Sequence, residues 1–342
     1  MEIHISNSSL IEAIETISQC LDLSCEVECE EAVVNIPDQL GRGWIKGINF
    51  QNGLGLFFLD IKLKKSLTLK YKLTEIYPVR VLFCKEGWFT YAFENHRPEY
   101  TMEPLRSAIS ASSDDKDQSL IFPANTSIIL TILEIDRKTY VKRMDCDLDS
   151  VPEPLANVFR DHEAEDPFLY TGDYSLSISE VVNDIHTNNY HGVVRKAYLE
   201  SKALELFSLI VRQYKDDLNP DIQKVVIRKS DLEKIEVARE ILTLDLAKGI
   251  TIPELARQVG LNENKLKRGF KQAYNSTVNQ FLINKRLEYA RVLLLSGSFS
   301  IQEVAEKVGY KNVGYFTRRF KERYGILPKD FVKNSKVNMK AS

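Results

Sequence analysis

Side chains able to bind phosphates and base edges are concentrated near the carboxyl end of this 342-residue chain. Residues 308–325, VGYKNVGYFTRRFKERYG, hold two lysines and three arginines with aromatic residues spaced between them. Lysine and arginine are the usual contacts to nucleic-acid phosphates, but a basic run alone also fits a solvated amphipathic helix. The sequence around the run must decide between these interpretations.

The charge of the chain is unevenly distributed. Its formal net charge is −2, yet residues 231–342 carry +9 and residues 1–230 carry −11. A basic segment joined to an acidic one indicates an electrostatic partner for one part of the chain, most simply nucleic acid.

The remaining composition predicts a cytoplasmic globular protein. The hydrophobic content of 44% and charged content of 27% are ordinary. No apolar run approaches about 18 residues, and the amino terminus has no signal-like segment, so no membrane partner is predicted. The five cysteines lack a metal-binding spacing and fit reduced thiols. No metal or cofactor is therefore predicted.

An α+β fold is predicted, with antiparallel strands first and helices after them. Short β-branched and aromatic runs separated by turn residues extend over about residues 40–136, which is typical of a sandwich or barrel. Residues 1–20 predict an amphipathic helix, and residues 107–119 (SAISASSDDKDQS) predict an exposed loop. Helical periodicity extends over about residues 151–214.

The helix predicted from His191 to Tyr214 has apolar residues on more than one stripe. It could pack on its own domain and on a second subunit, which predicts a homodimer contact. Pro220 breaks the helical pattern, so residues 215–229 are predicted to be a linker.

An internal repeat lies in the basic third of the chain. ITIPELARQVGL (250–261) matches FSIQEVAEKVGY (299–310) at an offset of 49 residues, and after one inserted residue the offset becomes 50. Each copy predicts a short helix, a glycine turn and a second helix, which is the helix-turn-helix arrangement. The two predicted units lie at about 251–273 and 300–324, and two in tandem are far more specific than one.

Capping signals mark the helix boundaries of this region. A hydroxyl followed three residues later by glutamate, the capping box, occurs at Ser230/Glu233, Thr251/Glu254 and Ser300/Glu303. Glycines suited to helix C-caps occur at Gly249, Gly297 and Gly325.

A helix predicted from Thr277 to Ser296 connects the two units. At about 1.5 Å per residue it spans roughly 30 Å, close to the roughly 34 Å of one turn of duplex DNA. Its segment NKRLEYARVLLL (284–295), together with VGYKNVGYFTRRFKERYGILPKDF (308–331), resembles the AraC/XylS family of bacterial transcription regulators. The resemblance covers about residues 231–335. It implies a DNA-binding domain at 230–335, with residues 336–342 as a tail.

The resemblance also implies base-reading positions on the second helix of each unit. In the first unit these are Asn264, Lys267 and Arg268; in the second they are Val313, Gly314, Tyr315, Thr317 and Arg318. Arginine and lysine can bridge guanine and asparagine can pair with adenine, whereas valine and glycine offer little hydrogen bonding. The predicted phosphate contacts are Lys271, Lys311, Arg319, Lys321 and Arg323. Arg286 is predicted to brace the two units internally.

For residues 1–214 the resemblance implies a cupin-like domain that senses an effector and dimerises. YHGVVRKAYLESKALELFSLIVRQ (190–213) further resembles the siderophore-sensing, pyochelin-regulator-like branch, which implies a ferric siderophore as effector. Trp44, Phe57, Trp88 and Tyr91 are predicted to line its pocket, although alternating aromatics in strands are also typical of a core. His186 is predicted to be an ordinary surface or helix-end residue.

The sequence thus predicts a transcription regulator and not an enzyme. Its predicted partners are double-stranded operator DNA, a small-molecule effector, RNA polymerase and a second copy of the chain, with nucleoid association when DNA is bound. Two alternatives stay open: an enzyme carrying a DNA-binding tail, such as a DNA-repair alkyltransferase, and a constitutive DNA-binding dimer. The enzyme would require an activated cysteine, and no N-terminal cysteine has a metal or Cys-His setting.

Overall fold

The computed structural model describes residues 1–6, 9–72, 78–93, 96–112, 117–140, 142, 147–219, 229–274 and 276–338. The chain divides into two compact units, Met1–Lys224 (the N-terminal unit) and Val225–Ser342 (the C-terminal unit). Within the described ranges no helix combines the length and apolar character needed to cross a membrane. Most of the predicted linker, residues 220–228, lies outside the described residues.

Strands form most of the N-terminal unit. They are β1 Glu2–Ile5, β2 Cys25–Glu28, β3 Glu31–Ile36, β4 Gly41–Asn49, β5 Leu54–Leu63, β6 Leu67–Tyr71, β7 Val79–Glu86, β8 Phe89–Phe93, β9 His96–Met102, β10 Arg106–Ala111, β11 Gln118–Phe122, β12 Ser127–Ile135 and β13 Phe168–Thr171. Its helices are α1 Leu10–Cys20, α2 Arg137–Tyr140, α3 Glu153–Arg160, α4 Leu176–Thr187 and α5 Gly192–Leu218.

The strands assemble into two sheets. One has the order β1-β6-β11-β8-β9 and the other the order β13-β10-β7-β12-β5-β4-β3-β2. All pairings are antiparallel except that of β1 with β6. The predicted fold class, antiparallel strands followed by helices, is confirmed.

Two apolar cores lie on opposite faces of the eight-stranded sheet. Strand β5 is buried along most of its length because its side chains alternate between them: Phe57 and Leu59 join the core shared by the two sheets, and Leu56 and Phe58 join the core formed with α3, α4 and α5. A sheet covered on both faces reads as a continuous apolar run. This explains the sequence LGLFFLD at the centre of the unit.

Helix α1 packs against β3 and β4, and a glycine allows its close approach. A Cβ built on Gly47 would lie 2.3 Å from Ile14 Cδ1, so a larger residue at this position would require the Ile14 side chain to shift. The helix thereby closes one end of the core between the two sheets.

Two expectations for the N-terminal unit are wrong. Residues 1–20 are not one helix. Their first residues form β1, in which the buried Ile3 and Ile5 alternate with exposed neighbours, and β1 pairs with β6. The predicted loop at 107–119 is strand over most of its described length, in β10 and β11. Its serines suit the sheet interior because Ser107 and Ser110 are small and fully buried. Strands also begin earlier than residue 40, with β1, β2 and β3.

The C-terminal unit is helical. Its helices are α6 Lys229–Leu244, α7 Ile252–Gln258, α8 Glu263–Tyr274, α9 Val278–Ser296, α10 Ile301–Lys307, α11 Val313–Tyr324 and α12 Pro328–Asn338. The pairs α7–α8 and α10–α11 are the two helix-turn-helix units, and α9 connects them. The tandem arrangement predicted from the repeat is confirmed.

The predicted boundary signals are mostly confirmed. Capping boxes are complete at Thr251 and Ser300, and the left-handed glycines Gly297 and Gly325 end α9 and α11. Ser230 is not a cap, since α6 already includes Lys229. Gly249 does not cap α6 either, because that helix ends at Leu244.

Candidate nucleic-acid interface

Helices α8 and α11, the second helices of the two units, are here termed the reading helices. Each begins at an asparagine: Asn262 Oδ1 accepts from the Lys265 amide at 2.8 Å, and Asn312 Oδ1 accepts from the Tyr315 amide at 2.8 Å. This matched pair of caps was not predicted from the sequence. An asparagine directly before each apolar-periodic segment was the signal that could have revealed it.

The inner faces of the reading helices are equivalent. Leu266 and Phe270 in α8, like Phe316 and Phe320 in α11, are fully buried. The Phe270 ring lies 5.3 Å from that of Phe281, and the Phe320 ring lies 5.6 Å from that of Phe331 in α12. Because these rings fix the rotation of each helix about its axis, the side chains on its other face must point outward.

The outer face of α8 presents the predicted residues Asn264, Lys267, Arg268 and Lys271, all exposed. Lys267 Nζ lies 3.0 Å from a carboxylate oxygen of Glu263, one helical turn earlier. Among the described residues, neither Arg268 nor Lys271 has an ion-pair partner. These two cations are therefore free to meet a ligand.

Three of these side chains meet the amino terminus of α9. Lys267, Arg268 and Lys271 line a hollow of about 390 Å³ together with Thr277 and the first residues of α9, and no described residue lining it is acidic. Thr277 caps that helix by accepting from the Gln280 amide at 3.2 Å. A helix amino terminus carries partial positive charge and favours anions. The arrangement is suited to a phosphate group beside the reading helix.

The outer face of α11 differs. Gly314, Tyr315 and Arg318 are exposed, but Val313 and Thr317 are half-buried. Val313 packs against the apolar core of α9–α12, so little of it is presented outward. The guanidinium group of Arg318 lies 5.2 Å from the centre of the Tyr315 ring, which holds the arginine along the helix surface.

The predicted phosphate contacts of the second unit divide into two groups. Lys311, Lys321 and Arg323 are exposed. Arg319 is only 29% exposed, and its Nη1 donates to Glu322 at 2.9 Å. To reach a phosphate, Arg319 would have to leave this carboxylate.

Arg286 braces the C-terminal unit internally, as predicted. From α9, its Nε donates to the Leu246 carbonyl at 2.8 Å, and its guanidinium lies 5.8 Å from the Tyr310 ring centre. One side chain thus connects the segment before α7 with the turn between α10 and α11. Partial burial lowers the pKa of this arginine from its usual value, with the Tyr310 hydroxyl acting in the opposite direction.

The four aromatics predicted to line an effector pocket are not brought together. Phe57 and Tyr91 are buried in the core between the sheets, whereas Trp44 packs on the opposite face of the eight-stranded sheet and Trp88 is 44% exposed. Trp44 in β4 pairs with Asp60 in β5. Asp60 is an odd number of positions from Phe57 along β5, and side chains alternate between the two faces of a sheet, so the Trp44 and Phe57 rings lie on opposite faces. These positions therefore do not define one pocket.

His186 is not an ordinary surface residue. Its ring lies 5.3 Å from Trp44 and 5.6 Å from Phe58, and its Nε2 is 2.9 Å from Thr131 Oγ1. Burial, with a smaller effect from nearby lysines, lowers the pKa of His186 to about 3. The imidazole is neutral at physiological pH and belongs to the packing of α4 on the sheet.

The thiols give little support to nucleophilic chemistry. Burial raises the pKa of Cys84 to about 12, and burial also raises the pKa of Cys25. A catalytic cysteine requires the opposite shift. Cys146 lies outside the described residues, and within the described part no three His, Cys, Asp or Glu side chains converge as metal ligands.

Comparison with known families decides the lineage. Residues 41–223, more than half of the chain, match the model of the regulatory protein PchR N-terminal domain. The chain belongs to the PchR family of regulatory proteins. Residues 255–334 match a helix-turn-helix domain model, which covers both reading helices. The resemblance to AraC/XylS-type regulators and to their pyochelin-regulator-like branch is thereby confirmed.

Individual relatives of this PchR-family chain match it over part of its length and at modest sequence identity. Regulatory protein PchR of Pseudomonas aeruginosa is 27% identical over 198 residues, which cover 58% of this chain and 64% of PchR. The xylose operon regulatory protein of Escherichia coli K12 is 33% identical over 84 residues, covering 25% and 21% of the two chains. The chain thus spans less than two thirds of the length of each relative.

Solved structures similar to the PchR-family chain include apo ToxT from Vibrio cholerae. It is 18% identical with a TM-score of 0.34, and the match covers 82% of this chain and 97% of that one. The C-terminal domain of the response regulator yesN from Fusobacterium nucleatum is 31% identical with a TM-score of 0.27, covering 28% and 95%.

Proposed function

We propose that this PchR-family protein is a cytoplasmic, sequence-specific DNA-binding transcription regulator. The observation that carries the proposal is the outer face of α8, where Asn264 and Arg268 stand exposed on a helix fixed by a buried inner face. The cationic hollow beside them supplies a phosphate contact that would hold α8 in the major groove. Base contacts and a backbone contact then come from one rigid element.

The two reading helices divide the work unequally in this proposal. Helix α8 presents side chains that can hydrogen-bond to base edges, with Arg268 or Lys267 on guanine and Asn264 on adenine. Helix α11 has Gly314 at the position equivalent to Asn264 and a half-buried Thr317 at that of Lys267, and Arg318, equivalent to Arg268, lies along the Tyr315 ring. It would contact mainly the backbone through Lys321 and neighbouring cations, so specificity lies mostly in the half-site under α8.

The N-terminal unit would supply regulation. We propose that it binds a small-molecule effector, for which the family resemblance implies a ferric siderophore, and that the protein acts as a homodimer together with RNA polymerase. The dimer proposal is supported by α5. Leu199, Ala203, Leu206, Ile210 and Tyr214 are buried on one side of this helix, and Val194 and Leu204 are exposed on another.

The test compares base preference after single substitutions. Arg268→Ala should weaken operator binding by about 1–3 kcal/mol and relax the preference at one or two base pairs. Arg257→Ala, which removes an exposed arginine from α7, is the charge-matched control and should leave base preference intact. Val313→Ala should change specificity little.

Selection from a randomised operator library, followed by titration of the recovered sites, measures all three variants. If Val313→Ala abolished base preference while Arg268→Ala preserved it, the assignment of the reading helices would be reversed. Titration over a range of salt concentrations gives an independent measurement. Lys271→Ala should lower the slope of log affinity against log salt by about one, since one phosphate contact is lost.

A further inference from the structure

A cavity of about 660 Å³ lies at the β2 end of the eight-stranded sheet. Its floor is the sheet face formed by β2, β3 and β4, and its roof is the segment that leads from α4 into the first turns of α5. The register places Glu31 beside Ile48 and Val33 beside Lys46 on that face. A volume of roughly 300–1,000 Å³ is typical of small-molecule sites.

An unpaired ammonium group stands on the floor of the cavity. Lys46 is half-buried, and its Nζ lies 4.5 Å from the centre of the Trp44 ring. Among the described residues no carboxylate lies within ion-pair distance of it. The nearby carboxylate of Glu31 is already held by Arg195, whose Nη2 and Nε donate to its two oxygens at 2.6 and 3.0 Å. Burial and the Arg195 charge lower the pKa of Lys46 from its usual value, as expected for a cation that lacks a counter-ion.

The roof adds further hydrogen-bond donors without acceptors. Helix α5 begins at Gly192, and its N-cap residue His191 provides no side-chain cap. Within the described residues the amides of Gly192, Val193 and Val194 have no hydrogen-bond partner. They lie at the amino terminus of a 27-residue helix, where the helix dipole favours an anion. Lys196 also lines the cavity and has no ion-pair partner in the described ranges.

The remaining lining selects the rest of the ligand. Val33, Ile48, Tyr190 and Val193 give apolar surface, and Val193 is 83% exposed. Glu26 and Glu28 are exposed on the edge strand and line the cavity from that side. They would repel a polyanion such as nucleic acid more strongly than a ligand with a single carboxylate.

A second hollow of about 430 Å³ adjoins the first, since both are lined by Val193 and Lys196. It is also lined by Asn52, which is only 8% exposed. Asn52 Nδ2 donates to Glu200 at 2.6 Å, but its Oδ1 has no partner in the described part of the chain. A buried acceptor without a donor is costly unless something else pairs with it.

We propose that this cavity binds a small molecule with one carboxylate on an apolar body, the carboxylate lying between Lys46 and the amino terminus of α5. The apolar body contacts Val33, Ile48 and Val193. The inference rests on the proposed function, because such a ligand would be the effector of the N-terminal unit. It moves the effector site from the predicted barrel aromatics to the junction of α4 and α5.

A matched pair of probes tests the proposal on the full chain. 2-Naphthoate carries the carboxylate, and 2-naphthamide has nearly the same shape without the charge. In a Trp88→Phe background Trp44 is the only tryptophan, because the chain has two, so its fluorescence reports binding next to Lys46. We expect naphthoate to bind about tenfold more tightly than the amide, which corresponds to about 1.4 kcal/mol.

Three variants separate charge from shape. Lys46→Met should abolish the preference for naphthoate, and Lys46→Arg should retain it. Lys62→Met removes a half-buried lysine from neighbouring β5, outside the cavity, and should leave the preference unchanged. Equal affinity for the two probes in the unsubstituted site, no Trp44 response, or an undiminished preference in Lys46→Met would each overturn the proposal. Melting temperatures of all variants identify any that fail to fold.

Failure of this site can be distinguished from failure of the proposed function. The same samples are titrated with operator DNA with and without naphthoate. Probe binding that depends on Lys46 supports the site even if the full chain does not bind DNA, in which case the proposed function is refuted. DNA binding without any Lys46-dependent probe binding refutes the site and leaves the regulator intact.

Discussion

Replacing Gly309 by alanine should destabilise the C-terminal unit far more than the same change at the equivalent Gly260. Gly309 lies in the turn between α10 and α11 at φ +84°, and a Cβ there would be 2.7 Å from both the Leu246 carbonyl oxygen and Arg286 Nη2. Gly260 lies in the turn between α7 and α8 at φ +66°, and a Cβ there would lie 3.8 Å from Lys234 Nζ. The two glycines share the backbone requirement and differ in the space around them.

The expected magnitudes follow from these distances. A left-handed conformation costs a non-glycine residue about 1–2 kcal/mol, so Gly260→Ala should lower the free energy of unfolding by about that amount. At Gly309 the new methyl must also displace Arg286, whose hydrogen bond to Leu246 is worth about 1.5–3 kcal/mol as a charged donor. Gly309→Ala should therefore cost roughly 2.5–5 kcal/mol in total.

Urea unfolding of the full chain, followed by far-ultraviolet ellipticity, measures both variants. Hydrogen exchange in α10 and α11 locates the loss. An Arg286→Ala background completes the cycle, and there Gly309→Ala should cost less by the contribution of the arginine. Equal destabilisation by Gly260→Ala and Gly309→Ala would refute this account, since the brace would then contribute nothing at the turn.

Two further predictions concern the N-terminal unit. Leu204→Glu, on the exposed face of α5, should convert a dimer to a monomer in sedimentation equilibrium, while Val27→Glu on edge strand β2 should not; a wild-type chain that is already monomeric would contradict the dimer proposal. The stability of this unit should fall by about 2 kcal/mol between pH 7 and pH 5, because unfolded His186 gains a proton near its usual pKa of about 6.5 and the folded residue, with a pKa of about 3, does not. His186→Gln should flatten that part of the pH profile, and an unchanged slope would show that other groups control it.

The C-terminal unit could be predicted from the sequence because its signals are local. Thr251 and Ser300 fix helix starts within a few residues of themselves, and the repeat states the same pattern twice. The bracing role of Arg286 could also be predicted from the sequence, because this charged residue lies in a predicted connecting helix with a unit on each side. The half-burial of Val313 could not be predicted, because its contact with the α9–α12 core is a tertiary one.

The N-terminal unit was less predictable because burial on both sheet faces hides the alternation of the strands. In β5 nearly every residue is buried, so no sequence pattern tells which face Phe57 joins or that Trp44 faces away from it. The cavity at Lys46 could not be predicted from the sequence for a different reason. Its lining comes from residues 26–33, 46–48 and 188–196, and only the pairing of β2, β3 and β4 brings those segments together.

The duplicated scaffold of the C-terminal unit separates folding from recognition in a way that matters for its evolution. The residues that hold α8 in place are buried, whereas Asn264 and Arg268 can change without disturbing a packed neighbour. In α11, Val313 is tied to the core and its substitution carries a folding penalty. Under the proposed function, new operators would therefore be acquired by substitutions in the first reading helix, while the position of Val313 in the second would change slowly.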